Sequence, residues 1–264
     1  MRTKLLSLML LGIGCAACAH GCDLAGKDDA IWRPKPGTSW QWQISGTIDE
    51  RYAVAMYDVD LFDAPDAVLA RLRQRGVKIV CYFSAGTHED WRADASQLPA
   101  AVRGRPLEDW PGERWLDIRA EAVRVLTLAR LDRARARGCD GVEPDNVDGY
   151  ANESGFPLTA RDQLAFNRFI AREAHARGLS VGLKNDVDQA AELEPDFDWA
   201  LVEECQEYDE CDELGAFVRA GKAVFHVEYG DATRAASVCP DANARNFDTL
   251  IKHTLLDSFR IACR

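Results

Sequence analysis

Six apolar runs in this 264-residue chain end in side chains able to do chemistry. Asp58 and Asp60 close the first, Ser84 and Gly86 the second, and Glu143, Asp145 and Asn146 the third. Lys184, Asn185 and Asp186 follow, then Glu203 and Glu204, then Glu228 and Tyr229. One polar residue after a strand is as readily a helix N-cap. Six such ends, gathered round one mouth, would instead make a carboxylate-rich pocket, because ionisable groups held together need a ligand or partners to offset their cost. Two carboxyls flanking a glycosidic bond, one protonated to donate to the leaving oxygen and one ionised as nucleophile or base, need no cofactor. The sequence has no Gly-rich phosphate loop, no Gly-x-Ser-x-Gly elbow and no His-rich metal spacing; of five histidines only His88 and His226 fall near strand ends. Neither a metal nor a cofactor is therefore expected. Trp40, Trp42, Tyr82, Trp91 and Tyr229 are aromatic candidates for stacking on sugar rings, with packing the competing role of Trp40 and Trp42.

The elements that must position these residues follow a repeated plan. A helical pattern ends in a basic or small residue plus Gly, and a strand follows: Arg75-Gly76, Arg137-Gly138, Arg177-Gly178 and Ala220-Gly221. Gly just past a helix takes the left-handed cap conformation, and Arg suits the negative helix end. Glu121 to Arg137 reads as a helix with Ala122, Val125, Leu126 and Ala129 on its apolar face; Thr159 and Asp162 read as a capping box opening a helix to Arg177. Eight strands are expected: Gln41 to Ile44, Val54 to Asp58, Lys78 to Phe83, Gly141 to Asp145, Val181 to Asn185, Trp199 to Glu203, Ala223 to Glu228 and Phe259 to Cys263. The segment around His253 reads as helical, and Trp115 to Ile118 as part of a connection. Strands alternating with helices predict an α/β, single-domain (β/α)8 TIM-like barrel over residues 38–264, a doubly wound sheet being the competitor. Thr87 to Arg119 is too long for a simple loop and is expected to fold over one end as a partial lid.

The formal charge of −11 counts against nucleic acid as a partner, because neutralising its backbone needs clustered Lys and Arg. Arg2 and Lys4 before the short apolar run Leu5 to Gly14 read as an export signal over residues 1–19, with cleavage after Ala19 or a lipidated start at Cys15, Cys18 or Cys22. Residues 20–37 read as a tether, and the product as secreted, periplasmic or held at a membrane through an N-terminal lipid. Nine cysteines suit an oxidising compartment. Cys205 is expected to pair with Cys211 and Cys239 with Cys263. Cys81 and Cys139, set among apolar strand residues, read as small buried hydrophobes in preference to a disulfide.

Trp40-Gln41-Trp42-Gln43-Ile44-Ser45-Gly46, Tyr57-Asp58-Val59-Asp60-Leu61-Phe62-Asp63, Cys81-Tyr82-Phe83-Ser84-Ala85-Gly86, Gly138 to Asn146, Gly182-Leu183-Lys184-Asn185 and Glu203 to Cys211 resemble, in order, the motif series of glycoside hydrolase family 114. The resemblance runs from about Trp40 to Arg264. It implies a TIM-barrel-like endo-α-1,4-polygalactosaminidase that acts on polymers of galactosamine or N-acetylgalactosamine; a monomer is expected. It places Asp145 and Glu203 as the catalytic carboxylates, with Glu203 favoured as general acid. The family pattern has Asn before this Glu, whereas Val202 precedes Glu203 here and Glu204 follows it, so either carboxylate remains a candidate. Asp58, Asp60, Tyr82, Asn146, Lys184, Asn185, Glu204, Glu228 and Tyr229 are the candidate substrate-binding residues. An ion pair of Lys184 with Asp145 is the structural alternative for those two. A non-catalytic carbohydrate-binding barrel and a metal-dependent polysaccharide deacetylase or hydrolase are the rival functions.

Overall fold

A computed structural model describes residues 31–264; the expected export signal and possible lipid site lie outside the described residues. In chain order the elements begin with β1 (Trp40–Gln43), β2 (Met56–Asp60), α1 (Asp66–Gln74) and β3 (Lys78–Ser84). Next come β4 (Thr87–Glu89), β5 (Arg103–Pro106), β6 (Glu113–Leu116), α2 (Glu121–Ala136), β7 (Gly141–Asp145), α3 (Ala160–His175) and β8 (Ser180–Lys184). The chain ends with α4 (Ala190–Leu193), β9 (Trp199–Glu203), α5 (Gly215–Arg219), β10 (Val224–Tyr229), α6 (Ala235–Ala244), β11 (Asp248–Lys252) and β12 (Ile261–Ala262).

Eight parallel strands run in the order β1-β2-β3-β7-β8-β9-β10-β11, and β12 adds antiparallel to β11. The expected TIM-like α/β domain is present as a curled sheet. The eighth strand, however, is β11, in the segment read as helical, and Phe259 to Cys263 supplies only short β12. The junction before β11 escaped the Gly pattern because Asn246 does the work of glycine. Its φ is 66°, its N–H donates to Asn243 O at 3.1 Å and the next N–H, of Phe247, donates to Ala242 O at 3.0 Å. The same pair of bonds closes the helices at Gly76, Gly138, Gly178 and Gly221. β12 takes the edge of β11 that β1 would need for a closed ladder. The seam is instead crossed by Trp40 Nε1 to Asp248 O, Gln41 Nε2 to Ser258 O, and Ile44 N to Leu256 O. Six helices are described, none of them between β1 and β2.

Strand alternation splits the side chains into two sets. Trp40, Trp42, Met56, Val80, Trp199, Leu201, Phe225 and Val227 fill the inside of the curl, while Tyr57, Val59, Cys81, Phe83, Val142, Val181, Leu183 and Val202 meet the helices. Gly182 is required inside: a Cβ there would lie 2.3 Å from the Trp199 ring. The α3 capping box is present as expected, Thr159 and Asp162 bonding each other's backbone N–H. The buried face of α2 differs from the expected one: Val123, Leu126, Thr127, Arg130, Leu131 and Ala134 point inward, and Val125 is half exposed. Arg130 can sit in that stripe because Asp94 and the Ser84 carbonyl receive its guanidinium.

Two further expectations are corrected. The tether does not extend to residue 37: Trp32 packs against the inner core, Arg33 pairs with Asp198 at 2.8 Å and Gly37 N donates to Asp248. Cys81 and Cys139 form a disulfide, as do Cys205–Cys211 and Cys239–Cys263. The first pairing depends on β7 lying next to β3, an adjacency between segments 58 residues apart that local apolar character does not reveal. Replacing Cys81 and Cys139 together by Ala should lower unfolding free energy by about 2–4 kcal/mol, measurable by urea denaturation. An unchanged midpoint would show that the link constrains nothing.

Candidate active site

β7, β8, β9 and β10 deliver Asp145, Lys184, Glu203 and Tyr229 to one rim, each at an inward position of its strand. Glu203 faces inward with Trp199 and Leu201, both of the inner core. The Lys184 ammonium lies 2.9 Å from Asp145 Oδ1, 2.9 Å from Glu203 Oε2 and 3.3 Å from Glu143 Oε1. The Trp42 ring lies beside it, its centroid 4.9 Å from Nζ. Asn185 Nδ2 donates to Glu203 Oε2 at 3.1 Å, the Tyr229 hydroxyl donates to Glu203 Oε1, and Asn146 N donates to Asp145 Oδ1 at 2.7 Å. Asn146 Nδ2 in turn reaches Ser84 Oγ at 3.0 Å. Gly86 lets this corner close, because a Cβ there would sit 1.7 Å from the Asn146 carbonyl.

The rim borders two adjoining cavities of about 790 and 280 Å³, which share Trp110, Asp148, Asn152, Asn185, Glu203 and Tyr229 as lining. Asp145, Lys184, Tyr82 and Trp42 line the smaller; Glu204, Asp186, Asp188 and Tyr208 line the larger. The three-stranded sheet β4-β6-β5 is the expected partial lid, and Trp115 belongs to its strand β6. The turn between β5 and β6 brings Leu107, Glu108 and Trp110 to the cavity wall. Just past the strands the backbone is left-handed at Asn146, Asn185, Asp186 and Glu204, with φ of 59°, 50°, 45° and 54°. For a residue as long as Glu204 that conformation costs about 1–2 kcal/mol, and such strain gathers where side-chain direction is constrained by function.

Burial alone would raise the pKa of Glu203, but Lys184, Tyr229 and Asn185 outweigh it and hold the carboxyl below its ordinary range. Burial would likewise lower the pKa of Lys184, yet Asp145, Glu203 and Glu143 keep it charged. Burial and the neighbouring Glu203 charge push the Tyr229 phenol far up, so it stays a donor. Glu204 is raised, by burial and then by Glu203.

The structure does not bring every candidate to the cavity. Asp58 is fully buried beneath the rim and lines neither lobe. Asp60 is spent on Arg92, at 2.6 Å, and on the N–H groups of Phe62 and Asp63. Glu228 points outward with His226, to Arg234 at 3.0 Å and Gln206 N at 2.9 Å. Direct ligand contact is closed to all three. Trp40 packs in the core and Trp91 lines neither lobe. Trp110, carried by the partial lid, and Tyr208, in the short loop between Cys205 and Cys211, are both exposed and form aromatic walls of the larger cavity; neither is among the stacking candidates, and the signal for each is a polar or Pro/Gly-flanked position in a connection. Trp42 contributes an indole N–H that is buried without a partner on the wall of the smaller cavity.

Glycoside-hydrolase family GH114 matches residues 22–264. The chain belongs to that family. The glycosidase is similar to Ega3 of Aspergillus fumigatus, solved in complex with galactosamine: 41% identity, TM-score 0.85, covering 89% of this chain and 98% of that one. It shares its fold with the glycoside hydrolase domain of PelA from Pseudomonas aeruginosa, at 14% identity, TM-score 0.66, and 85% and 97% coverage. An uncharacterised protein of Deinococcus radiodurans is 28% identical over 218 residues, 70% of each chain.

Several carboxyls of this glycosidase are protonated where ordinary ones are not. Burial raises Asp58 to about 7, Glu113 to about 7, Asp148 to about 6 and Asp186 to about 8. Their folded-state values exceed those of the unfolded chain, so the stability they support is complete below the ordinary carboxylate range and is lost as pH rises through 6 to 8. The melting temperature should therefore fall by several degrees between pH 5 and pH 7, about 1 kcal/mol moving it by some 2–4 °C in a chain of this size. Calorimetry at the two pH values checks this; a higher melting temperature at pH 7 would contradict it.

Proposed function

We propose that the protein is an exported glycosidase that cleaves α-1,4-linked galactosamine polymers by paired-carboxylate catalysis, with Asp145 as nucleophile and Glu203 as general acid and then base. The observation that carries this reading is Lys184, whose ammonium contacts both carboxylates at 2.9 Å on the wall of an open cavity. Two oxygens that share one ammonium at that distance are less than about 6 Å apart. That proximity supports a retaining mechanism, whose carboxyls stand about 5–5.5 Å apart, over an inverting one, whose carboxyls stand about 6.5–9.5 Å apart. The first step forms a bond from Asp145 to the anomeric carbon as the glycosidic oxygen leaves with the proton of Glu203. Water then gives its proton to Glu203 and its hydroxyl to the sugar, restoring both groups.

The donors around Glu203 oppose its protonation in the empty cleft, so the acid form grows as pH falls. Asp148, Asp186, Asp188 and Glu204 on the larger cavity offer carboxyl oxygens that accept hydrogen bonds from the hydroxyl and amino groups of an amino-sugar chain, with Trp110 and Tyr208 as stacking walls. The relative solved with galactosamine supports the same sugar. Three disulfides support an oxidising, extracytoplasmic setting, and no helix among the described residues is long and apolar enough to cross a membrane.

Purified protein incubated with de-N-acetylated galactosaminogalactan should release oligosaccharides whose newly formed ends are initially α, seen by proton NMR. Asp145→Asn and Glu203→Gln should each lower kcat by about 100-fold or more while oligosaccharide binding persists. Wild-type kcat/KM should rise from pH 7 to pH 5. Initial β products would overturn retention, and a Glu203→Gln enzyme near wild-type activity, beside an inactive Glu204→Gln, would move the acid to Glu204.

A further inference from the structure

Among the described residues five large apolar side chains are exposed, and three of the five, Trp110, Tyr208 and Leu255, line the larger cavity. Exposed apolar surface gathered round one cleft marks a place where a partner binds. Each of the three sits on a segment fastened to the fold. The disulfide Cys205–Cys211 closes the loop of Tyr208, whose N–H donates to Glu204 O at 3.1 Å, and Gln206 N in the same loop donates to Glu228 at 2.9 Å. Beyond β11 the Lys252 ammonium donates to the carbonyls of Asp257, at 2.7 Å, and Phe259, and so holds the turn that carries Leu255. His253 closes that turn, stacked on Phe259 with ring centroids 4.1 Å apart and bonded to Asp257 at 3.0 Å. The turn of Trp110 is closed by Leu107 N to Glu113 O and Glu113 N to Trp110 O, both at 3.0 Å. Walls fixed in advance lose little freedom when a ligand arrives.

The two cavities play different parts in the reaction. Asp145 lines the smaller alone, whereas Glu203 lines both. A nucleophile bonds the anomeric carbon of one sugar, and the acid protonates an oxygen that leaves with the next sugar toward the reducing end. The smaller cavity therefore takes the sugar that becomes bonded to Asp145, and the larger takes the piece that departs.

We propose that the larger cavity, once that piece has gone, is an acceptor site for the non-reducing end of a second amino-sugar chain, and that the enzyme transfers the bound sugar to this chain as well as to water. The proposal rests on Asp145 as nucleophile and Glu203 as acid and base. In the transfer the ester bond from Asp145 to the anomeric carbon breaks, the acceptor's 4-hydroxyl oxygen bonds that carbon, and the hydroxyl proton passes to Glu203. The acceptor hydroxyl stands where water stands in hydrolysis, and the new linkage is again α. A sugar stacked on Tyr208 brings that hydroxyl to the cleft in place of water.

The α-fluoride of a galactosamine trimer loads Asp145 and leaves the larger cavity empty, because its leaving group is fluoride. With a galactosamine tetramer labelled at its reducing end as acceptor, the initial products, resolved by mass spectrometry, should include a labelled heptamer beside free trimer. Tyr208→Ala should lower the ratio of heptamer to trimer about five- to tenfold, and Tyr208→Phe, which keeps the ring, should hold it within about two-fold. Free trimer as the sole product, or a ratio that Tyr208→Ala leaves unchanged, overturns the acceptor site while the hydrolase reading stands. No fluoride release by folded enzyme overturns the glycosidase reading, and the transfer with it.

Discussion

One buried cation organises the cleft. Lys184 is nearly inaccessible, and its ammonium avoids the cost of burial only through Asp145, Glu203 and Glu143. Those carboxylates are likewise tolerable at such proximity only because the ammonium sits among them. Trp42 fixes the floor beside Nζ, and Asn185 and Tyr229 complete the shell of Glu203. The two catalytic candidates are therefore held close by an interaction each element needs for its own stability, and the spacing that favours retention is a by-product of that shared contact.

The same rim shows why its backbone departs from regular structure. A strand that simply continued would alternate its side chains in and out of the curl. Left-handed residues directly after Asp145, Lys184 and Glu203 break that alternation, so that neighbours such as Asn185 can turn back onto Glu203 while Asp186 and Glu204 line the larger cavity. Asn and Asp accept this geometry readily; Glu204 does so at greater cost. The lid sheet answers a different need. It brings Trp110 to the wall, and its base is anchored by buried ion pairs of Arg92 with Asp60 and Glu89 and of Arg130 with Asp94.

Much of this was legible in the residues. Helix-ending glycines marked four strand starts, and the motif series named the strands that carry Asp145, Lys184 and Glu203. The fifth junction was hidden because Asn246 replaces glycine in the same cap. Asp58, Asp60 and Glu228 each end an apolar run, as the pocket residues do, yet their surroundings differ. Glu228 falls on the outward phase of β10, which strict alternation from Tyr229 would have shown. Asp58 is inward but too deep, and Asp60 meets Arg92, 32 residues away, a contact that local pattern does not contain. The Cys81–Cys139 link was missed for the same reason: it depends on which strands adjoin in space.

The cleft depends on the ammonium between the two carboxylates. The turnover of folded Lys184→Met on α-1,4-linked galactosamine oligomers tests it most directly, since methionine keeps the length and removes the charge. A kcat reduced by about 100-fold or more is the predicted result, while turnover within a few-fold of wild type would contradict the account.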